Sequence, residues 1–289
     1  MKFLLVEGVH STEDVRLLVL EEAKKYFDTV LSVPLSKLKI ECLRGENKVY
    51  YKNTLLNDFD AFYIRVFAED FAFAQPVLYC LSKSRGVMPH CLEAFSITNN
   101  KYHTTKLVSE LNIKVPATAL TTTPEATMQI VEKIGYPAVV KLLSGFGGKG
   151  VMLVNSEKEL KPILDTLNIF EEFICLQEYI PAGKKDIRYL VVDDDVIAIL
   201  REGKDWRANV SIGGKAAEIP VEKELKDTAI KAAKFLGLKI CAVDFVQNVQ
   251  QENYLIEVNF TPGFMKNYLH NRIPRAIVKY LYKCAKRKK

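Results

Sequence analysis

Two carboxylates and a carboxamide near the end of the chain could do chemistry together: Asp244 in "KICAVDFVQN", and Glu257 and Asn259 in "NYLIEVNF". Both stretches read as strands of one hairpin. Glu257 and Asn259 are two residues apart and so share a face, while Ile256 and Val258 point the other way. If the turn is centred between Gln250 and Gln251, Asp244 lies directly opposite Glu257. Two carboxylates ~4 Å apart at a partly buried site repel by about 4 kcal/mol, and like charges opposed across a ladder weaken it, so a cation is expected between them. Two carboxylates and an amide oxygen are hard ligands that suit magnesium, which keeps its remaining positions for water and phosphate. A register slipped by one would turn the acids to solvent instead. The apolar character of 239–247 and 254–258 favours the metal.

A second stretch, "KLLSGFGGKGVMLV" at 141–154, crowds glycines between two strand-like runs. Gly145, Gly147 and Gly150 spell G-x-G-x-x-G, but the apolar run from Val151 to Val154 follows where a dinucleotide fold needs a helix. No Ser or Thr follows Lys149, which excludes the Walker loop, and the absence of HRD and DFG excludes a protein kinase. What remains is a glycine hairpin, either a tight turn or a lid whose bare amides close over phosphate oxygens. Magnesium on a sheet facing such a loop suggests a nucleoside triphosphate held between lobes. Lys141, at the end of an apolar strand, and Lys101, beside a helix start, are the cations placed to reach its phosphates, with a surface lysine as the competing reading for each. Arg65 ends the strand "FDAFYIRV" at the carboxyl edge where ligands of open α/β sheets sit, or is a plain surface arginine.

The elements that must position these residues fall into three lobes. Residues 1–94 alternate strand and helix, with "KFLLVE", an amphipathic stretch from Thr12 to Tyr26, "TVLSV", "KVYYK" and "FDAFYIRV", which reads as an open α/β lobe. Residues 95–181 open with a helix capped by Asn99 or Asn100 and continue with a helix carrying Pro124 in its first turn and Gly135 past its end. The strand "PAVVKLL", the glycine loop, "VMLV", a helix over 156–168 and the strand "ICLQEYI" follow. Residues 182–289 hold the hairpin "DIRYLVV-DDD-VIAILRE", a loop "KDWRANVSIGG", a helix with Leu225, Ala229, Ala232 and Leu236 on one face, and the acidic hairpin.

Composition sets the class. With 289 residues, 48% hydrophobic and 26% charged, the chain is ordinary globular material. No apolar run is long enough to span a bilayer and "MKFLLVEGVH" is no signal peptide, so a cytoplasmic protein without a membrane partner is expected. The six cysteines are scattered with no C-x-x-C spacing and read as free, mostly buried thiols, which excludes a disulfide frame or zinc site. Much of the net charge of +6 comes from the tail "KCAKRKK", which reads as a solvated helix end in preference to a nucleic-acid arm. The four histidines lie apart, and no Ser/His/Asp or Cys/His pattern is present.

The segments "VVKLLSGFGGKGV", "LQEYI", "KDIRYLVVDDDVIAIL", "WRANVSIGG" and "VDF…IEVNFTPG" resemble, in order and spacing, those of ATP-grasp ligases. The similarity runs from about residue 59 to 264 and is to the branch of the ribosomal-protein glutamate ligase RimK, which includes glutamate ligases acting on the tails of methanogen cofactors. The resemblance implies a mixed α/β ATP-grasp fold behind an N-terminal open α/β domain. It also implies that Lys101 and Lys141 bind ATP phosphates under the 144–151 loop, with Ser144, Gly145, Gly147 and Gly148 at its centre. Gln177, Glu178, Tyr179 and Ile180 would form the hinge on which adenine sits, and Asp186 and Arg188 would line the nucleotide and substrate cleft. Arg201, Arg207 and Asn209 would face the transferring phosphate, and Asp244, Glu257 and Asn259 would hold two magnesium ions, for which manganese can stand in. Lys141, Arg201 and Arg207 are then the catalytic side chains. The partners implied are a small-molecule or peptide carboxylate and an amino acid, glutamate first; a homo-oligomer is compatible with the sequence. The segment between Arg201 and Arg207 is shorter than in RimK, and "NFTPGF" replaces an Asn-Ser-Ser-Pro-Gly pattern. Both border the acceptor site, which leaves the substrate open. The alternatives are a relative of the lysine and arginine biosynthesis ligases acting on a carrier protein, or an ATP-binding regulator without turnover.

Overall fold

The computed structural model describes residues 1–143, 149–208, 213–264 and 272–288. The chain begins with β1 (Lys2–Glu7), α1 (Glu13–Ala23) and β2 (Thr29–Pro34). An antiparallel sheet of its own follows, made of β3 (Leu38–Leu43), β4 (Glu46–Tyr51) and β5 (Thr54–Leu55). Next comes β6 (Ala61–Arg65), which pairs in parallel with β1 in the order β2-β1-β6. "KVYYK" was expected in the open α/β sheet, and the structure corrects this. Arg44 and Gly45 both adopt positive φ, 53° and 84°, the twist of a two-residue hairpin turn, so 46–51 folds back on 38–43.

The helices α2 (Phe71–Ser82), α3 (Leu92–Asn99) and α4 (Lys101–Ser109) lead into the central lobe. Where the sequence suggested one helix from Asn99 or Asn100, α3 ends at Asn99 and α4 starts afresh. The Asn100 side chain accepts from the His103 N–H at 3.0 Å, an N-cap that makes Lys101 the first residue of α4. The central lobe comprises β7 (Thr118–Thr121), α5 (Pro124–Ile134), β8 (Ala138–Leu142), β9 (Val151–Val154), α6 (Glu157–Ile169) and β10 (Ile174–Glu178). Its sheet runs β7-β10-β8-β9, and its core, with Val131, Val140, Leu160, Leu164 and Ile174, belongs to this lobe alone.

The last segment contains β11 (Lys185–Val192), β12 (Asp195–Glu202), β13 (Lys215–Ile219), α7 (Lys223–Phe235), β14 (Ile240–Gln247), β15 (Asn253–Asn259) and α8 (Arg272–Lys288). Its five strands form an antiparallel sheet ordered β13-β12-β11-β14-β15. Hydrophobic packing joins it to the amino-terminal strands. Leu4, Val33 and Phe62 share one core with Tyr189, Val243 and Phe260; Phe3 and Tyr63 share another with Leu190, Ile277 and Leu281. α8 packs on α1, with the Tyr282 ring 5.3 Å from Tyr26 and 5.6 Å from Phe27. The carboxyl end of β6 is thereby fixed against the end of β15. Among the described residues no helix is long and apolar enough to cross a membrane. Cys80, Cys175 and Cys241 are buried, whereas Cys42 and Cys91 are exposed, so the thiols are less uniformly interior than their scatter suggested.

Candidate active site

The acidic hairpin pairs Asp244 with Glu257, by a route the sequence did not show. From the turn, Gln247 opposes Asn253 and Phe245 opposes Leu255, which would set Asp244 against Ile256. A bulge between Asp244 and Phe245 absorbs one residue and restores the pairing of acid with acid. It also corrects the expected orientation of Ile256, which lines the same cavity as Glu257 and Asn259, while Val258 goes into the core.

Positive charge does stand beside Asp244, and it comes from the protein. Arg188, on β11, donates through Nε and Nη2 to the two Asp244 oxygens at 2.7 and 2.6 Å. Arg201, on β12, does the same to Asp186 at 2.6 and 2.5 Å and adds a bond to Asp244 at 3.1 Å. Burial alone would raise the Asp244 carboxyl; the Arg188 and Arg201 guanidiniums outweigh it and hold Asp244 below its ordinary value. Burial would likewise weaken protonation of Arg201, but Asp244 and Asp186 outweigh it and keep the guanidinium firmly charged. Asn259 Nδ2 lies 3.4 Å from Asp244.

The lysines enter from the central lobe. Lys141 on β8 is half-buried and donates to Gln177 Oε1 at 2.6 Å, and Gln177 in turn donates to Thr118 at 2.9 Å. Burial pulls the Lys141 ammonium below its usual range, and Glu257 is the charge that most opposes this. Lys141 and Glu257, from two sheets, therefore face one space. Lys101 Nζ donates to the Leu143 carbonyl at 3.2 Å, just before the glycine loop. Along the edge of β10, Glu178 accepts from the Ala117 N–H at 3.0 Å, and the Tyr179 ring meets Trp206 edge-on at 6.0 Å. Arg207 is half-buried and pairs with Asp205 at 2.6 Å. Gly203 is required there because a Cβ would lie 1.8 Å from the Arg207 carbonyl oxygen.

All these side chains border one cavity of about 460 Å³: Lys101, Lys141, Gln177 to Ile180, Asp186, Arg188, Arg201, Arg207, Asp244, Glu257 and Asn259. Ser144, Gly145, Gly147, Gly148 and Asn209 lie outside the described residues. The cavity has a wall that sequence reasoning passed over, contributed by His10, Phe67 and Phe264, and the loop side chain Trp206 adds to it. Arg65 belongs to that wall and is only 4% exposed, so it is no surface arginine. A strand ending at a carboxyl edge was the signal available for it.

The residues fit magnesium in kind. Among the described residues no three His, Cys, Asp or Glu side chains gather as a metal cluster, so the donor set is two carboxylates and one amide. Glu257 accepts no hydrogen bond from described residues and is ready for a cation. Asp244 Oδ2 accepts from Arg188 and Arg201, whereas among the described residues Oδ1 accepts only from Arg188 Nε and keeps a lone pair that could hold a cation.

A family model described as the RimK-like ATP-grasp domain matches residues 98–281. A probable alpha-L-glutamate ligase of Halorhodospira halophila is 32% identical over 229 residues, 75% of this chain and 73% of that one. Another, from Rhodopirellula baltica, is 28% identical over 78% of this chain, which spans only 57% of that relative's length. Among solved structures, the macrocyclase MdnC bound with precursor peptide MdnA from Microcystis aeruginosa superposes with a TM-score of 0.75 at 17% identity, covering 97% of this chain and 99% of that one. The ATP-grasp ligase PsnB, complexed with a phosphomimetic variant of its minimal precursor, Mg and ADP, gives 0.72 at 18%, covering 97% of each. The fold is thus that of the ATP-grasp ligases, and the chain belongs to the RimK-like ATP-grasp family of carbon–nitrogen bond-forming ligases.

Proposed function

We propose that this ligase uses ATP to activate a carboxylate as an acylphosphate and joins it to the amine of an amino acid, glutamate first, releasing ADP and phosphate. The observation that carries the reading is the one cavity in which Lys101 and Lys141 face Asp186, Asp244 and Glu257 of the last sheet, with Arg65, Arg188, Arg201 and Arg207 at its border. Lys101 and Lys141 hold the phosphate oxygens, and Gln177 to Ile180 present backbone and ring to the base. Magnesium, as two ions on Asp244, Glu257 and Asn259, would neutralise charge between the phosphates. Arg201 and Arg207 offset the charge on the equatorial oxygens as the acceptor carboxylate attacks the γ-phosphorus. The amine then displaces phosphate from the acyl carbon, and no nucleophilic side chain is needed.

Three lobes, 1–94, 95–181 and 182–289, close on the nucleotide in this reading. Glutamate is supported by the names of the relatives, and a peptide or small-molecule acceptor by the precursor peptide that MdnC binds. The test is release of ADP and phosphate, screened over amino acids against candidate carboxylates. ADP and phosphate should appear in equal amounts with amide, and only when both organic substrates are present. AMP and pyrophosphate, or slow hydrolysis indifferent to any amino acid, would refute it; ATP binding without turnover would mark a regulator.

A further inference from the structure

Arg65 ends β6 and is 4% exposed, yet among the described residues no carboxylate lies within 4.0 Å of its guanidinium. Its polar contacts are made by Nη1, which donates to Tyr63 Oη at 3.0 Å and to the Pro262 carbonyl at 3.1 Å. The guanidinium carbon sits over the Phe264 ring at 5.0 Å and the Tyr63 ring at 5.7 Å. Nε is buried and has no acceptor. A buried charge is ordinarily paired, and a buried N–H is ordinarily bonded. Asp186 and Asp244 show how this protein treats the buried Arg201 and the half-buried Arg188, with a two-pronged carboxylate for each. Among the described residues Arg65 has no such carboxylate.

We propose that Arg65 is the counter-ion of a substrate carboxylate, one that the substrate keeps through the reaction. The proposal rests on the ligase reading and adds a recognition residue to it. The carboxylate that is phosphorylated becomes an acylphosphate and then an amide, losing its charge, so a fixed buried cation is poorly matched to it. A spectator carboxylate suits the site at every stage. The location agrees: Arg65 holds Pro262, and a Cβ on the next residue, Gly263, would lie 3.7 Å from Arg188 Nη1. The short run Pro262–Gly263 therefore separates the Arg65 site from the Asp244 site. Thr261 fixes that run to the residue after β6 through a 2.6 Å bond to the Val66 carbonyl. An anion on Arg65 would share the cavity with Asp244, Glu257 and Lys141, beside the Phe264 ring.

Two substrates can supply such a group: the amino acid, through its α-carboxylate, or the acceptor, through a second carboxylate. Calorimetry on the full chain, saturated with magnesium and a non-hydrolysable ATP analogue, distinguishes them. The probes are L-glutamate against its α-amide, and N-acetyl-L-glutamate against its α-amide. Arg65→Gln should weaken one of the two acids about 10- to 100-fold, the range for a hydrogen bond to a charged group, while the nucleotide affinity stays within about twofold. Arg65→Lys should recover part of the loss. The corresponding α-amide should bind wild type as weakly as the acid binds Arg65→Gln, and should lose nothing further in the variant. The acid affected names the source.

The proposal is overturned if acid and amide bind wild type alike, if neither acid binds, or if Arg65→Gln lowers only nucleotide affinity or melting temperature. The comparison of acid with amide uses wild type alone, so it stands even if the Gln variant misfolds. Failure of the ligase reading would show separately, as no ADP from wild type in the substrate screen.

Discussion

His90 gives the fold a built-in sensitivity to acid whose size can be worked out. The imidazole is 9% exposed, with its ring 4.4 Å from Phe260, and neither ring nitrogen has a partner among the described residues. Burial pushes its pKa from 6.5 down to about 3, so the folded protein carries it neutral. The folded value lies below the unfolded one, so between the two the unfolded chain binds the extra proton. Stability is therefore full above 6.5, falls as pH drops through that value, and goes on falling toward 3. At pH 5, about 1.5 units below the unfolded value, the loss is about 2 kcal/mol at ~1.36 kcal/mol per unit. In a chain of this size that is a shift of melting temperature on the order of 4 °C. His90→Phe replaces both unpartnered nitrogens with an apolar ring and removes the titration. Thermal melts of wild type and variant from pH 8 to pH 5 should diverge by this amount, the variant losing less. Parallel profiles would show that His90 is not buried neutral. The divergence should reach the site as well, since Phe260 immediately precedes the run from Thr261 to Phe264 that Arg65 holds.

Two further outcomes follow from the site. Glu257→Gln should nearly abolish magnesium-dependent turnover at saturating metal with far-ultraviolet circular dichroism unaltered; near-normal turnover would remove Glu257 from the metal set. Gly203→Ala puts a methyl group against the Arg207 carbonyl oxygen, so the Asp205–Arg207 loop must move; the turnover rate should fall at least tenfold with far-ultraviolet circular dichroism unaltered, and wild-type kinetics would show that the position of Arg207 does not matter.

What was legible in the sequence was the part that obeys short periods. The apolar runs along 239–247 and 254–258 gave the strands, and the types of Asp244, Glu257 and Asn259 suggested a cation site. The pairing of the acids depends on a bulge beside Phe245, which no periodicity reveals, because inserting one residue moves the turn and the pairing in compensating ways. The same local reasoning supposed that the repulsion between the acids needed a metal. It could not see that Arg188 and Arg201, on neighbouring strands, already lie against Asp244, since that is a property of strand order and not of spacing. Arg65 is the sharper case. Its place at a carboxyl edge was visible, but whether it faced water depended on a segment 197 residues away, where Pro262 and Phe264 close over it. Once that contact is known, the chemistry of the position changes: an exposed arginine needs no partner, whereas a buried one with an unbonded Nε does. Residues whose environment is made by distant chain are the ones local patterns miss, which is why the sequence pointed to the Lys141 and Glu257 side of the cavity and left the Arg65 side open.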